Sequence, residues 1–329
     1  MSRLVAIFVV LAMLTGGAWL WERWNFAAPG PAAANGASET VVLIKPGEGL
    51  WTIANRLQDA GVLRSASLFA LGVRERRETP LLKAGEYAMP SRVSMDDLAA
   101  ILITGRSIEH KLTAAEGLTS QMIADIVNND HELSGTKQPT PEEGTLLPET
   151  YLFTRGATRS AIIDKMREAQ QAFLARSWQS RASGLPFDSP LRAVTLASVV
   201  EKETAIPEER RHIAAVFINR LRLGMKLESD PTVIYGISGG YPLGRGIRAS
   251  ELQAPSPYNT YTVAGLPPTP ICNPGKDSIA AVLNPEQSAD LYFVADGTGG
   301  HAFAATKSDH DRNVARWRRI ESASLRIRP

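Results

Sequence analysis

From Pro190 to Met225 the chain reads PLRAVTLASVVEKETAIPEERRHIAAVFINRLRLGM, and the rest is organised around this stretch. Pro190 suits the first turn of a helix, where its missing N–H has no partner to lose. Val194, Ala197, Val200 and Thr204 make one stripe at helical spacing, and Pro207 separates this helix from a second. Glu201 stands four residues after Ala197 and seven after Val194, at the border of the stripe, whereas Lys202 points with Thr195 and Ser198 to the opposite side. Glu203 lies on the other flank. A carboxylate beside an apolar face loses hydration in its charged form, so its pKa is expected to rise toward the range of a general acid. Helix geometry does not choose between Glu201 and Glu203, and EKE also reads as the charged end of an ordinary helix.

Downstream, SDPTVIYGI (Ser229 to Ile237) and SPYNTYTVAGLPPTPICNPG (Ser256 to Gly275) pack Pro, Gly, Asn, Thr and Tyr around a short aromatic cluster. Tyr258, Asn259, Thr260 and Tyr261 offer amides and hydroxyls beside ring faces, a combination suited to sugars. DLYFVADGTGGHAFAATKSDHDRN then gives a strand from Leu291, a glycine-rich turn and a second strand through His301 and Phe303, followed by a basic helix. Upstream, Leu112 begins a strand, a Glu116-Gly117 turn and a helix, and EEGTLLPETYLF from Glu142 leads into an apolar strand. Its LPET is no sortase signal, because Tyr151 stands where glycine is needed and no hydrophobic tail follows. The helix after Thr158, with Ile162, Ile163, Met166 and Phe173, is plainly amphipathic.

At the amino terminus, Leu4 to Trp21 are 18 apolar or small residues without a charge, enough to reach across a bilayer core, with Trp19, Trp21 and Trp24 as an aromatic belt. Residues 1–24 are therefore expected to be a transmembrane anchor with the body outside the cytoplasm. A signal peptide is the competing reading, since Ala32 to Ala34 would serve as a cleavage site. The Ala-, Gly- and Pro-rich residues 25–40 read as a flexible tether. Next come a strand from Val41, a Pro46-Gly47 turn and a helix carrying Leu50, Ile53, Ala54 and Leu57; Ser94 is placed to cap a further helix. The expected organisation is an anchor at 1–24, a tether at 25–40, a small βα unit at 41–111 and a larger α+β domain at 112–329.

The 36 Lys and Arg against 34 Asp and Glu give a net charge of +2, which argues against nucleic acid as the main partner. The single cysteine, Cys272, excludes an internal disulfide and every Cys-rich metal site. His301, Asp309, His310 and Asp311 match no established metal spacing, Ser198 sits in no nucleophile elbow, and NPGKDS shares only a GK pair with a P-loop. No cofactor or metal is expected.

Two resemblances follow from these motifs. The strand, turn and helix around PGEGLWTIA resemble the LysM module, a peptidoglycan-binding unit, through Gly47, Glu48, Leu50, Trp51, Ile53 and Ala54; Gly49 replaces the usual Ser or Thr. ASVVEKET at Ala197, VFINRLRLGMKLESDPTVIYG at Val216, the SPYNTYTV segment and LYFVADGTGGHAF at Leu291 closely resemble the YceG-like family of membrane-anchored endolytic murein transglycosylases. That resemblance implies a LysM-like unit before an α+β catalytic domain in the cytoplasmic membrane, facing the periplasm. It also implies cleavage of nascent glycan strands between N-acetylmuramic acid and N-acetylglucosamine, and a peptidoglycan synthase nearby. The first glutamate of the VEKET motif, Glu201, is implied as the catalytic one, with Glu203 in support. Substrate contacts are implied at Asn219, Asp230, Thr232, Tyr235, Tyr258, Asn259, Thr260 and His301, and more loosely at Arg245 and Arg248.

Such a reaction needs one carboxyl, because the muramyl C6 hydroxyl attacks its own anomeric carbon and no water has to be activated. A hydrolytic muramidase, which would generally use two carboxylates, and a non-enzymatic peptidoglycan-binding scaffold are the alternatives.

Overall fold

The computed structural model describes residues 3–325. They divide into two units: the first takes residues up to 111 with 132–134 and 152–157, and the second takes 112–131, 135–151 and 158 onward.

The first unit opens with helix α1 (Arg3–Ala27), followed by strand β1 (Glu39–Ile44), helices α2 (Leu50–Asp59) and α3 (Ala66–Glu75), strand β2 (Gly85–Pro90) and helix α4 (Met95–Thr104). β1 and β2 pair antiparallel from Glu39↔Pro90 to Ile44↔Gly85, and Val42, Ile44, Tyr87 and Met89 enter the core. α2 contributes Ile53, Ala54 and Leu57 at the expected helical spacing. Ser94 caps α4 by accepting the Asp97 N–H, and Gly105 ends that helix in the left-handed conformation at φ 72°.

The composition of residues 25–40 reads as a loose tether, but several of them are packed. α1 continues to Ala27, and Phe26 is fully buried, stacked on Phe69 at 6.1 Å and pressed against Gly72. The Gly30 N–H donates to the Val93 carbonyl, and the Ala33 N–H to Ser91 Oγ. An aromatic ring outweighs the small residues around it, because its apolar surface is best removed from water in the nearest core. The membrane-crossing helix expected at 1–24 lies partly outside the described residues. Among those described, no helix is long and apolar enough to cross a membrane.

Strands β3 (Glu109–Thr113) and β4 (Thr150–Thr154) form a short sheet within which the chain passes from one unit to the other. The second unit then holds α5 (Ser120–Asn129), α6 (Arg159–Gln179), α7 (Pro190–Glu203), α8 (Arg210–Arg222), α9 (Asp230–Ser238), α10 (Ala249–Gln253) and α11 (Lys276–Leu283). It closes with the hairpin β5 (Tyr292–Ala295) and β6 (His301–Ala304) and with α12 (Lys307–Leu325).

α7 is the axis of this unit. Every residue from Ala193 to Val200 is buried, with α6, α8, α9 and α11 packed around the helix. The one-sided stripe expected from the sequence is thus replaced by burial all round. Thr195 and Ser198, read as an outer face, are tolerated inside because their hydroxyls bond the Leu191 and Thr195 carbonyls at 2.9 and 2.7 Å.

Truncating Phe26 to Ala removes a fully buried ring from the first unit and is expected to lower its stability by about 3 kcal/mol in urea unfolding. A loss below about 1 kcal/mol would mean that the end of α1 is not seated in that core.

Candidate functional site

α7 ends at Glu203, where its buried body gives way to a cleft of about 390 Å³. Glu203 and His301 face this cleft together with Asp230, Tyr261, Arg220 and His310, and Phe293 supplies an apolar wall. Ser229 Oγ donates to Glu203 Oε2 at 2.9 Å. Burial pushes the Glu203 carboxyl up to about 7; Asp230 pushes the same way, while the Ser229 bond and the neighbouring His301 and Arg220 side chains pull it back. A carboxyl of that strength is half protonated near neutral pH, as a general acid requires.

The other cleft residues are fixed by bonds behind them. Asp230 begins α9, and its Oδ1 accepts from the Tyr261 hydroxyl at 2.7 Å. Burial, then the bond and charge of Asp230, raise the Tyr261 phenol, so it remains a protonated donor. Arg220 is buried and donates to the carbonyls of Leu291, Lys226 and Leu227 and to Glu228 Oε2, tying the residue before β5 to the turn before α9. His301 starts β6 and is held by Glu209, which accepts its backbone N–H at 2.8 Å and meets its Nδ1 at 2.6 Å.

Of the residues expected at the site, Asp230 and His301 line the cleft, and Thr232 and Thr260 lie beneath it. Thr232 Oγ1 bonds the Ser229 carbonyl at 2.7 Å and Thr260 Oγ1 at 2.8 Å, and the Ser229 N–H donates to Thr260. These buried hydroxyls hold Ser229 where it can reach Glu203. Asn259 is also buried, donating to the carbonyls of Glu251, Leu252 and Ala254; it shapes the Tyr-rich loop. Asn219 donates to the Ser288 and Asp290 carbonyls. Tyr235 bonds Glu143 and packs on Tyr258, whose hydroxyl meets Thr269. Arg245 forms a two-pronged pair with Glu251, whose Oε2 also accepts the Arg248 N–H. Arg220, Glu209 and His310 were not singled out as site residues from sequence. The signal available for Glu209 was its place just after VEKET, beyond Pro207.

The geometry places the two glutamates in different surroundings. Two positions on an α-helix are about 200° apart, so Glu201 and Glu203 cannot face one cleft. Glu201 Oε2 instead accepts the Gly275 N–H at 2.9 Å, at the start of α11, where backbone N–H groups and the helix dipole favour an anion. A Cβ on Gly275 would collide with the Glu116 carboxylate, so these three residues close on one another. Glu116 is raised by burial first and by the charge of Glu201 second. Lys202 Nζ donates to the Gly117 carbonyl at 3.3 Å.

Comparison with known proteins adds to this geometry. The model of the YceG-like family matches residues 42–316. A Streptococcus pneumoniae (strain D39) protein named endolytic murein transglycosylase is 31% identical over 360 residues, covering 94% of this chain. The chain spans 64% of the length of that relative. A Bacillus subtilis (strain 168) protein of the same name is 28% identical over 333 residues, with 91% of this chain and 90% of that protein covered. A 2.6 Å crystal structure of a yceG-like protein from Listeria monocytogenes aligns with a TM-score of 0.53 at 29% identity, covering 84% of this chain and 98% of the other.

Glu203 gives the fold a characteristic pH dependence. Its folded pKa of about 7 lies above the unfolded value of 4.5, so between these the folded chain binds more protons than the unfolded chain. Its contribution to stability is therefore full below pH 4.5 and lost as pH rises through about 7. Glu203→Gln, which cannot ionise, is expected to gain stability relative to the parent between pH 4.5 and pH 7, then plateau. Urea midpoints across this range test it; a constant offset would contradict it.

Proposed function

This chain belongs to the YceG-like family, and from that premise we propose that it is an endolytic peptidoglycan lytic transglycosylase with Glu203 as its acid and base. The observation that carries the reading is the Glu203 carboxyl at the end of α7, desolvated, bonded by Ser229 and opening onto a cleft of hydroxyl, imidazole and aromatic groups. The relatives' names supply the reaction class.

In the first step Glu203 gives its proton to the oxygen joining N-acetylmuramic acid to the next N-acetylglucosamine, and the C1–O bond breaks. The muramyl C6 oxygen closes on C1, and its proton passes to the Glu203 carboxylate, which regenerates the acid. No water is consumed, and the product ends in 1,6-anhydro-N-acetylmuramic acid. Holding the nucleophile on the substrate's own ring supplies much of the rate, since an intramolecular attack avoids the entropy of bringing two molecules together. A hydrolase would need a second carboxylate to activate water or act as nucleophile. Two other carboxylates in the cleft are already engaged: Asp230 by the Tyr261 hydroxyl and Glu228 by Arg220. This favours the lytic reaction over a muramidase.

The remaining parts fit work at a membrane surface. We propose that α1 anchors the protein in the cytoplasmic membrane with both units on the outer face. Ile7, Phe8, Leu11, Met13 and Leu14 are exposed along that helix, as are Trp19, Trp21 and Trp24 near its end. The first unit, with the order strand, helix, helix, strand and its likeness confined to the PGEGLWTIA turn, is read as a LysM-like module. Cutting nascent strands there would end their elongation beside the peptidoglycan synthase that makes them.

Digestion of purified glycan strands separates the readings. The protein and Glu201→Gln are expected to release fragments one water lighter than hydrolytic products by mass spectrometry, whereas Glu203→Gln loses at least about 100-fold in rate. Retained turnover in Glu203→Gln with loss in Glu201→Gln would return the role to Glu201. Reducing muramic ends would favour a muramidase, and the absence of fragments from every form would favour a scaffold.

A further inference from the structure

Beyond the cleft itself, the segment that follows α7 carries a carboxylate with an assignable task. We propose that Glu209 is a positioning residue of the reaction, which fixes the tautomer and direction of the His301 ring so that Nε2 is offered to the cleft beside Glu203. This rests on the reading of Glu203 as the acid and base.

Three donors converge on the Glu209 carboxylate. Oε1 accepts the His301 backbone N–H at 2.8 Å; Oε2 meets His301 Nδ1 at 2.6 Å and the Thr204 hydroxyl at 3.4 Å. An ionised carboxylate can only accept, so Nδ1 carries the ring hydrogen. In the neutral ring Nε2 is then an acceptor, suited to a sugar hydroxyl such as the one whose proton passes to Glu203.

The surroundings leave the ring little alternative. A side chain at Gly300 would place its Cβ 2.7 Å from Glu209 Oε1, so the hairpin approaches the carboxylate only because that residue is glycine. The edge of the His301–Phe293 pair, with ring centres 5.4 Å apart and planes at 90°, limits rotation from another side. Thr204 directly follows Glu203, and its hydroxyl also accepts the Ile206 N–H. One short turn therefore connects the acid, Glu203, with the residue that aims His301.

Nitrogen-15 NMR of the histidine rings in the full chain tests this directly. At a pH where the ring is neutral, His301 of the parent protein is expected to show a protonated Nδ1 and a bare Nε2. In Glu209→Gln the amide oxygen stays with the invariably donating backbone N–H, the amide nitrogen faces Nδ1, and the ring switches to protonated Nε2. On glycan strands that variant is expected to lose about 100-fold in kcat, the scale of a misplaced reacting group, with KM held within roughly threefold. A bare Nδ1 in the parent would overturn the proposal even if the variant failed to fold, as would unchanged kcat in a folded Glu209→Gln. Parent-like turnover in Glu203→Gln would overturn the cleft reading instead, since the ring signals report on Glu209 whichever glutamate is the acid.

Discussion

A helix enclosed on every side has to emerge somewhere, and where α7 emerges determines the second unit. Eight successive buried residues from Ala193 to Val200 draw α6, α8, α9 and α11 onto it, so its last turn carries a carboxylate into a place with little water. Desolvation, with the charge of Asp230 beside it, then raises the Glu203 carboxyl to about 7. The hydrophobic packing that stabilises the unit and the chemistry proposed for it thus have one origin.

Around that carboxylate the polar groups fall into two layers. Ser229, Thr232 and Thr260 are buried and bond mainly to one another, which satisfies them in the interior and fixes the Ser229 hydroxyl that reaches Glu203. Tyr261, Asp230 and His301 face the space itself. Arg220 joins the layers from behind by binding backbone carbonyls on both sides of the cleft. Its cost of burial is offset by four hydrogen bonds. A cleft assembled in this way presents hydroxyl, imidazole and ring faces rather than a concentration of positive charge, in keeping with a chain whose net charge is only +2.

Much of this was legible in the sequence, though unevenly. The helix start at Ser94 was readable from its capping side chain, whereas α3, capped by Ser65, was not read, and the glycine-rich turn between Phe293 and Phe303 announced its hairpin. The loop chemistry around Tyr258 to Tyr261 was also visible, but its division of labour was not: Asn259 turned inward to organise the loop, while Tyr261 faces the cleft. The different surroundings of Glu201 and Glu203 were not legible for a definite reason. A helical wheel ranks positions against one apolar stripe, and α7 has none, so burial around its end depends on the distant Gly275, Ser229 and His301. Phe26 misled in the same way, since a segment poor in apolar residues was read as a tether although one ring decides where it lies.

The central claim is that the fold holds the Glu203 carboxyl protonated up to neutral pH. Carbon-13 NMR titration of that carboxyl, assigned by its disappearance in Glu203→Gln, measures it without reference to any substrate. A midpoint near 7 is expected; a midpoint at the ordinary value of 4.5 would contradict a carboxyl desolvated by the fold.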